Sequence, residues 1–470
     1  MAYAHRMKNT YAALPFISTW KTDNLSTGSS TNTQVKLPLV ATGTYKFTVN
    51  WGDGNTDTIT AWNQAQVTHT YAAIGTYTIT ITGFIKGWQF GPETPTPPTT
   101  GDRLKLLTIT QFGCLRFTND AFMFHGCDNL TLATVTDVVN LKGITNAHGF
   151  FRRCLVLNAI PNINKWDVSK IENFRRFFAG VDLFNENIGN WNVGKGTNFA
   201  AMFFGFTTTT GGNFNNGGDP SIGNWDMSSA IDLTSMFVYQ GKFNQNVGAW
   251  DISNVTTIAA IFYGNRAAPY GNFNNGGSDS IKNWDTSNLT NVSQAFQYQP
   301  NFNQPIGSWN TSKVTNFGAM FSNPSTPAPV FNQNIGTWDT SKATNMSYML
   351  QLGNFNNGGS SSINNWDVSK VTTMSRMLQG AFNFNQPINN WKVPLVTDFL
   401  NFMAESGVTI PYAFSVENYS NFLIALAAQP VKPNVDFRVY QYYNSSAVAA
   451  RAILTSAPNN WTFVDRGLQP

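Results

Sequence analysis

The residues best suited to chemistry in this chain are aspartates that recur in one short motif, Trp-Asp-x-Ser. They are Asp167, Asp226, Asp251, Asp285, Asp339 and Asp367. Stacked in a column, these carboxylates could hold cations or work as acid/base pairs. However, Asn192, Asn310 and Lys392 replace the aspartate in other copies, and an Asp two residues before a Ser commonly closes a turn on its own backbone. We therefore interpret the motif as turn-forming and predict neither a metal site nor a catalytic site.

The cysteines and histidines offer little further chemistry. Cys127 and Cys154 stand 27 residues apart at equivalent places, so they could form a disulfide or bind a metal. We favour small buried apolar residues, because Ala179 takes this position in a later copy. Asp53 lies between two glycines and is expected to bond its own turn amides rather than a metal. No Gly-x-Ser-x-Gly motif or phosphate-binding glycine loop appears, so we expect no enzyme, no catalytic residue and no cofactor.

Tryptophan marks a long internal repeat in the middle of the chain. Its nine copies there are Trp166, Trp191, Trp225, Trp250, Trp284, Trp309, Trp338, Trp366 and Trp391. The spacings between them are 25, 34, 25, 34, 25, 29, 28 and 25 residues, so 25 residues is the basic repeat and insertions enlarge some copies. A period of this length indicates one supersecondary unit stacked many times, which predicts a solenoid.

Each repeat reads approximately Phe-Asn-x-x-Ile-x-x-Trp-Asp-x-Ser-x-Val-Thr-x-Met-x-x-Met-Phe, as in residues 302–321. The apolar residues should face inward, because one such unit cannot bury them alone. The asparagine after each Phe should use its side-chain amide to bond the backbone of neighbouring repeats. These asparagines are Asn185, Asn215, Asn244, Asn274, Asn303, Asn332, Asn356 and Asn385.

The repeat motifs closely resemble the BspA-like leucine-rich repeats of bacterial and viral surface proteins, over most of residues 120–405. The resemblance implies a right-handed coil with a parallel strand at Ile-x-x-Trp and a second short extended or turn segment at Val-Thr-x-Met. It also implies a helical or 3₁₀ turn at Met-x-x-Met-Phe. We therefore predict a mainly β fold, with an N-terminal immunoglobulin-like β-sandwich, a right-handed leucine-rich-repeat solenoid at residues 102–405 and a small α/β cap.

Residues 14–90 read as a separate all-β segment. Alternating runs at 45–51 and 77–82 carry aromatic and β-branched residues at period two. The motif Trp51-Gly-Asp-Gly, followed by His69-Thr-Tyr71 and Gly75-Thr-Tyr77, resembles a PKD (polycystic kidney disease) domain. That resemblance implies a sandwich that acts as a spacer or interaction module without chemistry of its own.

Three further segments flank these two domains. Residues 1–13 form an N-terminal arm, and the Pro/Thr-rich residues 91–101 form a stiff linker before a first repeat strand at 104–110. Residues 406–470 do not contain the repeat motif, and we expect them to cover the exposed end of the last repeat. Helices are expected there at 419–428, capped by Asn418, and at 445–454, and strands at 436–443 and 461–465.

Composition argues against several kinds of partner. Charged residues make up only 11% of the chain, the net charge is +4 and no run of Lys or Arg appears, so we expect no nucleic-acid partner. No stretch of 18 apolar residues occurs, so we expect no membrane insertion. The apolar run at residues 11–17 is not followed by a small-residue cleavage site, so we expect no secretion signal. The oligomeric state stays open.

The surface of the repeats is where we expect binding. Three copies carry the insertion Gly-Asn-Phe-Asn-Asn-Gly-Gly, at 212–218, 271–277 and 353–359, whose Asn-Gly pairs should project as a polar ridge. A long surface of amides and hydroxyls suits carbohydrate or protein contacts in which weak hydrogen bonds add up, although it would also serve as an inert solvated face. The candidate binding residues are Asn187, Asn190, Asn215, Asn216, Asn246, Asn274, Asn275, Asn334, Asn356 and Asn357.

Proteins that resemble this whole arrangement occur as bacteriophage virion components and as bacterial surface adhesins. We predict a non-enzymatic structural protein of the virion surface that attaches to a glycan or protein of the host surface. The arm and the sandwich would contact other virion proteins. The alternatives are an adhesin of the bacterial cell surface and a polysaccharide-degrading phage spike.

Overall fold

The computed structural model describes residues 14–91, 101–207, 211–266, 271–323, 328–351, 353–403 and 413–470. They divide into two compact units, one made of the described residues up to 230 and the other of those from 231 onward. The fold is mainly β with few helices, as predicted. The predicted arm at 1–13 and most of the predicted linker at 91–101 lie outside the described residues.

The first unit begins with eight strands. They are β1 (Phe16–Lys21), β2 (Gln34–Lys36), β3 (Thr44–Asn50), β4 (Thr56–Ile59), β5 (Thr68–Thr70), β6 (Thr76–Lys86), β7 (Leu106–Gln111) and β8 (Leu115–Arg116). One sheet has the order β4-β3-β6-β1-β7, with antiparallel neighbours, and β8 pairs with β6 in parallel; β2 and β5 form a second, antiparallel pair. Tyr45, Phe47 and Val49 alternate toward the core in β3, which confirms the strands predicted from the period-two pattern.

The strand that was predicted as the first repeat element belongs to this sheet as well. β7 pairs with β1, and its Thr108 also makes a parallel bridge to Thr131. Just before it, Lys105 is fully buried, lies 3.4 Å from Asp102 and donates 2.8 Å hydrogen bonds to the carbonyl groups of Thr31 and Gln34. A buried ammonium group requires such partners. The sheet and the first repeat therefore share this part of the chain.

Parallel bridges connect successive repeats at one position, the x of Val-Thr-x-Met. In the first unit they join Asn146, Asn173 and Asn198 in order; in the second they join Asp232, Thr257, Asn291, Asn316, Asn345, Thr373 and Asp398. The segment predicted at Val-Thr-x-Met as short and either extended or a turn is therefore paired through parallel bridges.

The parallel strand predicted at Ile-x-x-Trp is wrong, because this segment is a 3₁₀ helix or a turn. The 3₁₀ helices are Ile163–Lys165, Pro220–Asn224, Asp279–Asn283, Ile306–Ser308 and Ser361–Asn365. The N–H of Trp309 donates to the carbonyl of Ile306, so the two apolar side chains lie one 3₁₀ turn apart on the buried side. Other 3₁₀ helices are Ala65–Val67, Asn216–Gly218, Asn275–Gly277, Asn357–Gly359 and Ser445–Ala447.

The helical or 3₁₀ turn predicted at Met-x-x-Met-Phe is instead a hydrogen-bonded turn that contains one left-handed residue. The N–H of Met320 donates to the carbonyl of Phe317 at 3.2 Å, and Ala319 between them has a positive φ of 54°. A left-handed residue prevents the turn from continuing as a helix.

Columns of aromatic rings form the core of the repeats. In the second unit the rings stack with centroid separations of 6.0 to 6.2 Å in the order Phe243, Phe273, Phe302, Phe331, Phe355, Phe384 and Phe414. The repeat tryptophans are all buried. Each repeat thus contributes rings that only its neighbours can cover, and the free energy of burial is shared between repeats.

The C-terminal residues contain α1 (Val416–Ala427), β9 (Asp436–Arg438), α2 (Val448–Thr455) and β10 (Thr462–Val464), with β9 and β10 parallel. Both predicted helices and the strand predicted at 461–465 are present, but the strand predicted at 436–443 spans only Asp436–Arg438. Ser415 rather than Asn418 caps α1, since its hydroxyl accepts from the N–H of Asn418. Phe437 bridges Phe399, and the amide of Gln429 donates to the carbonyl of Trp391 at 3.0 Å. These contacts pack the C-terminal residues against the last repeat.

Candidate binding surface

The repeated aspartates close turns, as predicted. Oδ1 of Asp167 accepts from the N–H of Ser169 at 3.1 Å and from its hydroxyl at 2.6 Å. The corresponding backbone bonds of Asp226, Asp251, Asp285, Asp339 and Asp367 are 2.9 to 3.1 Å long. All six side chains are exposed. Hydrogen bonds from Ser169 lower the pKa of Asp167, and the matching serines do the same for Asp226, Asp285 and Asp339, because they favour the ionised form.

The other residues considered for chemistry also have structural partners. Asp53 accepts from the N–H of Asn55 at 3.0 Å and lies 2.8 Å from Nε2 of His69. Cys127 and Cys154 are fully buried free thiols, and burial raises the pKa of both well above the ordinary value. Cys154 donates to the carbonyl of Phe124. Within the described ranges no group of three His, Cys, Asp or Glu side chains is arranged to hold a metal ion.

The asparagine that follows each repeat Phe is a hydrogen-bond acceptor between repeats. Oδ1 of Asn303 accepts from the N–H of Asn332 at 3.0 Å and from the amide of Gln333 at 3.0 Å. In five other pairs the backbone N–H of one asparagine likewise donates to Oδ1 of the asparagine in the preceding repeat, at 2.7 to 3.1 Å. The donor and acceptor pairs are Asn215 and Asn185, Asn274 and Asn244, Asn303 and Asn274, Asn356 and Asn332, and Asn385 and Asn356. The predicted asparagine ladder is confirmed. The side chains of Asn274 and Asn356 are structural, and Asn215 joins the ladder through its backbone N–H.

The prediction that Asn216, Asn275 and Asn357 bind a ligand is wrong, because their side chains are fully buried. Oδ1 of Asn357 accepts from the N–H of Ile335 at 2.9 Å, and its amide donates to the carbonyl of Ser360 at 2.7 Å. Asn216 and Asn275 make the same bonds. The projecting ridge therefore exposes the glycines that follow, such as Gly358, and no asparagine side chain of these pairs.

The outward asparagines near each Ile are only partly available. Oδ1 of Asn334 accepts from the N–H of Gly336 at 3.0 Å and from the hydroxyl of Ser362 at 2.9 Å. Asn187 and Asn246 bond in the same way to the next inserted repeat. These amides stabilise the contact between repeats. The NH₂ groups of Asn246 and Asn334 stay available to solvent or a ligand, whereas the side chain of Asn187 also hydrogen-bonds Asp219.

The residue immediately before each repeat tryptophan is exposed in every copy, and we call this set the amide row. In the first unit the row holds Lys165, Asn190 and Asn224; in the second it holds Ala249, Asn283, Ser308, Thr337, Asn365 and Asn390. Among the described contacts, the side chains of Asn190, Asn224, Asn283, Asn365 and Asn390 make no hydrogen bond with protein. Of these, only Asn190 was predicted from the sequence. The shared position before each Trp is the signal that identifies the others.

The fold and this surface define a mainly β repeat protein. In its described part, most of the repeated asparagines form hydrogen bonds between repeats, whereas those of the amide row are exposed to solvent. The chain belongs to the family described as "Mycoplasma protein of unknown function, DUF285", whose model matches residues 118–216, 206–324, 270–361 and 331–408. No curated protein and no solved structure matches the chain. In the described part, none of the helices has the length and apolar character needed to span a membrane.

Proposed function

We propose that this chain is a non-enzymatic attachment protein whose repeats form a right-handed leucine-rich-repeat solenoid and bind through the amide row. The observation that carries this proposal is the contrast between two sets of asparagines. Those of the ladder and the insertions are committed to other repeats, whereas Asn283, Asn365 and Asn390 are exposed and uncommitted at one repeated position.

An extended ligand suits such a row better than a compact one. Equivalent phenylalanine rings of adjacent repeats lie 6.0 to 6.1 Å apart, so side chains at equivalent positions of adjacent repeats recur at a short, regular spacing. Each exposed amide offers a weak hydrogen bond, and several bonds to one chain of a glycan or one extended protein segment add through multivalency. Because the row is nearly uncharged, its binding should depend little on salt.

The biological setting proposed is the surface of a virion, with attachment to a glycan or protein of the host surface. The resemblance of the repeats to BspA-like surface proteins and of residues 14–90 to a PKD domain supports it. The sandwich would then contact other virion proteins, while the repeats bind the host. Mass spectrometry of purified particles tests this setting: recovery of the chain only in cell-surface fractions would support a bacterial adhesin instead.

Binding by the row is tested with a triple variant, Asn283→Ala, Asn365→Ala and Asn390→Ala. The full chain is assayed on host cells and on a glycan array, and the variant should bind at least about tenfold more weakly. The matched control replaces Thr315, Thr344 and Thr372 by Ala, since these threonines form another exposed row. Equal loss in both triple variants, or no loss in the first, would contradict the proposed surface.

The absence of catalysis is a separate part of the proposal and has its own test. The recurring carboxylates close turns with their serines, which accounts for them without a reaction. Incubation of the full chain with capsular polysaccharide should produce no new reducing ends. Their appearance would favour a polysaccharide-degrading spike.

A further inference from the structure

One tryptophan departs from the rule that this chain buries its indoles. The chain has fourteen tryptophans. Thirteen of them are at most 4% exposed, whereas Trp62 is 45% exposed. An indole that is nearly half exposed gives the fold only part of the burial free energy available to it, so its position invites a reason other than packing.

Trp62 lies in a short turn that the structure holds firmly. The turn runs from the end of β4 to the 3₁₀ helix Ala65–Val67. Oε1 of Gln64 accepts from the N–H groups of Thr60 and Ala61, at 2.8 and 3.0 Å, and its amide donates to the carbonyl of Thr58 at 2.9 Å. An aromatic side chain presented by such a turn loses little conformational entropy when a ligand binds.

The indole lines a cleft of about 310 Å³. Its other walls include the amide residue Asn63, the ammonium residue Lys36, the hydroxyl residue Thr68 and the half-buried Leu39. This volume is at the lower end of those that hold small molecules, and it is too small to seat a protein partner. The cleft combines one flat apolar surface with several hydrogen-bonding groups at its edge.

We propose that Trp62 and this cleft form a carbohydrate-binding subsite that takes a single pyranose ring, either free or at the end of a glycan chain. A pyranose has an apolar face of C–H groups and an equatorial edge of hydroxyls. The C–H face stacks on the indole, while Asn63 and Thr68 bond the hydroxyls. Lys36 at the rim favours sugars that carry a carboxylate there. This subsite shares no residue with the amide row, so its test does not depend on whether the amide row binds a ligand.

The test is saturation-transfer NMR on the full chain with glucose, galactose, mannose, N-acetylglucosamine and glucuronic acid as probes. At least one sugar should receive saturation at its ring C–H protons. Trp62→Ala should weaken that binding by about fivefold or more, the loss expected when one stacking face is removed, and Trp62→Phe should restore part of it. Lys36→Gln should weaken glucuronic acid selectively.

The matched control is Phe84→Ala, which removes an aromatic ring that is 47% exposed on β6 and lies outside the cleft. This variant should bind the sugars as the native chain does. The proposal is overturned if none of the five probes binds, or if binding survives in Trp62→Ala. Unchanged thermal unfolding of each variant shows that the fold is intact, and the amide-row triple variant should keep this binding.

Discussion

The indole N–H of Trp366 donates a 3.1 Å hydrogen bond to the backbone carbonyl of Ile335, in the preceding repeat. The same bond joins Trp191 to Ile163, Trp225 to Ile188, Trp284 to Val247, Trp309 to Ile281, Trp338 to Ile306 and Trp391 to Ile363, at 2.8 to 3.2 Å. The tryptophan therefore does more than fill the core. Its indole N–H gives a second hydrogen bond to a buried carbonyl that already accepts the backbone N–H of the tryptophan in its own repeat, as Ile335 does from Trp338.

Replacement of Trp366 by Phe should destabilise the second unit by about 1–3 kcal/mol, from the loss of the second hydrogen bond to the carbonyl of Ile335 and from the volume lost. Trp166→Phe is the matched control, because Trp166 is 3% exposed but its indole N–H has no hydrogen-bond partner among the described residues. Urea denaturation should show a smaller loss for the control. Equal losses would mean that the hydrogen bond contributes nothing beyond packing.

Replacing a buried asparagine should lower the stability of the chain, whereas replacing an exposed asparagine of the amide row should not. Asn357→Ala leaves the N–H of Ile335 and the carbonyl of Ser360 without their partner, so we expect a loss of about 2–4 kcal/mol in the free energy of unfolding. Asn365→Ala, at an exposed position with no such bonds, should unfold within about 0.5 kcal/mol of the native chain. Hydrogen exchange of the repeat around residue 335 would show the difference locally. A large loss in the exposed variant would contradict the assignment of the amide row.

His148 should make the first unit sensitive to mild acid. Burial, together with the nearby positive charges of Arg175 and Arg152, lowers the pKa of His148 to about 4, whereas an unfolded His titrates near about 6.5. Between these values the unfolded chain binds the proton more readily, so this contribution to stability is complete above pH ~6.5 and declines as the pH falls toward ~4.

The measurement is the urea midpoint at about pH 7.5 and pH 5 for the native chain and for His148→Gln. The native midpoint should fall more between the two pH values than that of the variant. NMR titration of the ring protons of His148 gives the pKa directly. An ordinary value would exclude this source of acid sensitivity.

The mainly β fold and its repeats were predictable because their sequence signals recur. Phe, Ile, Trp, Val and Met recur at fixed spacings, and side chains that recur in this way must face the neighbouring repeat. The period-two pattern of residues 45–51 and the helical composition of 419–428 were local signals of the same strength. Ladder asparagines such as Asn303 were predictable because a polar residue beside a buried Phe needs partners.

The errors came from signals that depend on a neighbouring repeat. Ile and Trp are three residues apart, a spacing that fits a 3₁₀ turn, but the strand expected from the family resemblance was preferred. Asn357 stands in an Asn-Gly pair that is typical of projecting turns. Its side chain points inward because the N–H of Ile335, in the preceding repeat, needs an acceptor, and no local pattern reveals that requirement.

A left-handed residue in each repeat turn predicts where this chain can be stabilised. Ala319 has φ of 54° and Ala260 also has φ of 54°, a conformation that disfavours an L-residue by about 1–2 kcal/mol. Glycine removes this strain but loses about 0.5–1 kcal/mol through the greater freedom of the unfolded chain. Ala319→Gly should therefore raise the free energy of unfolding by about 0.5–1 kcal/mol. Ala343→Gly, at a buried alanine without positive φ, should lower it instead, and a thermal shift of the same sign in both variants would show that strain at Ala319 is not what limits stability.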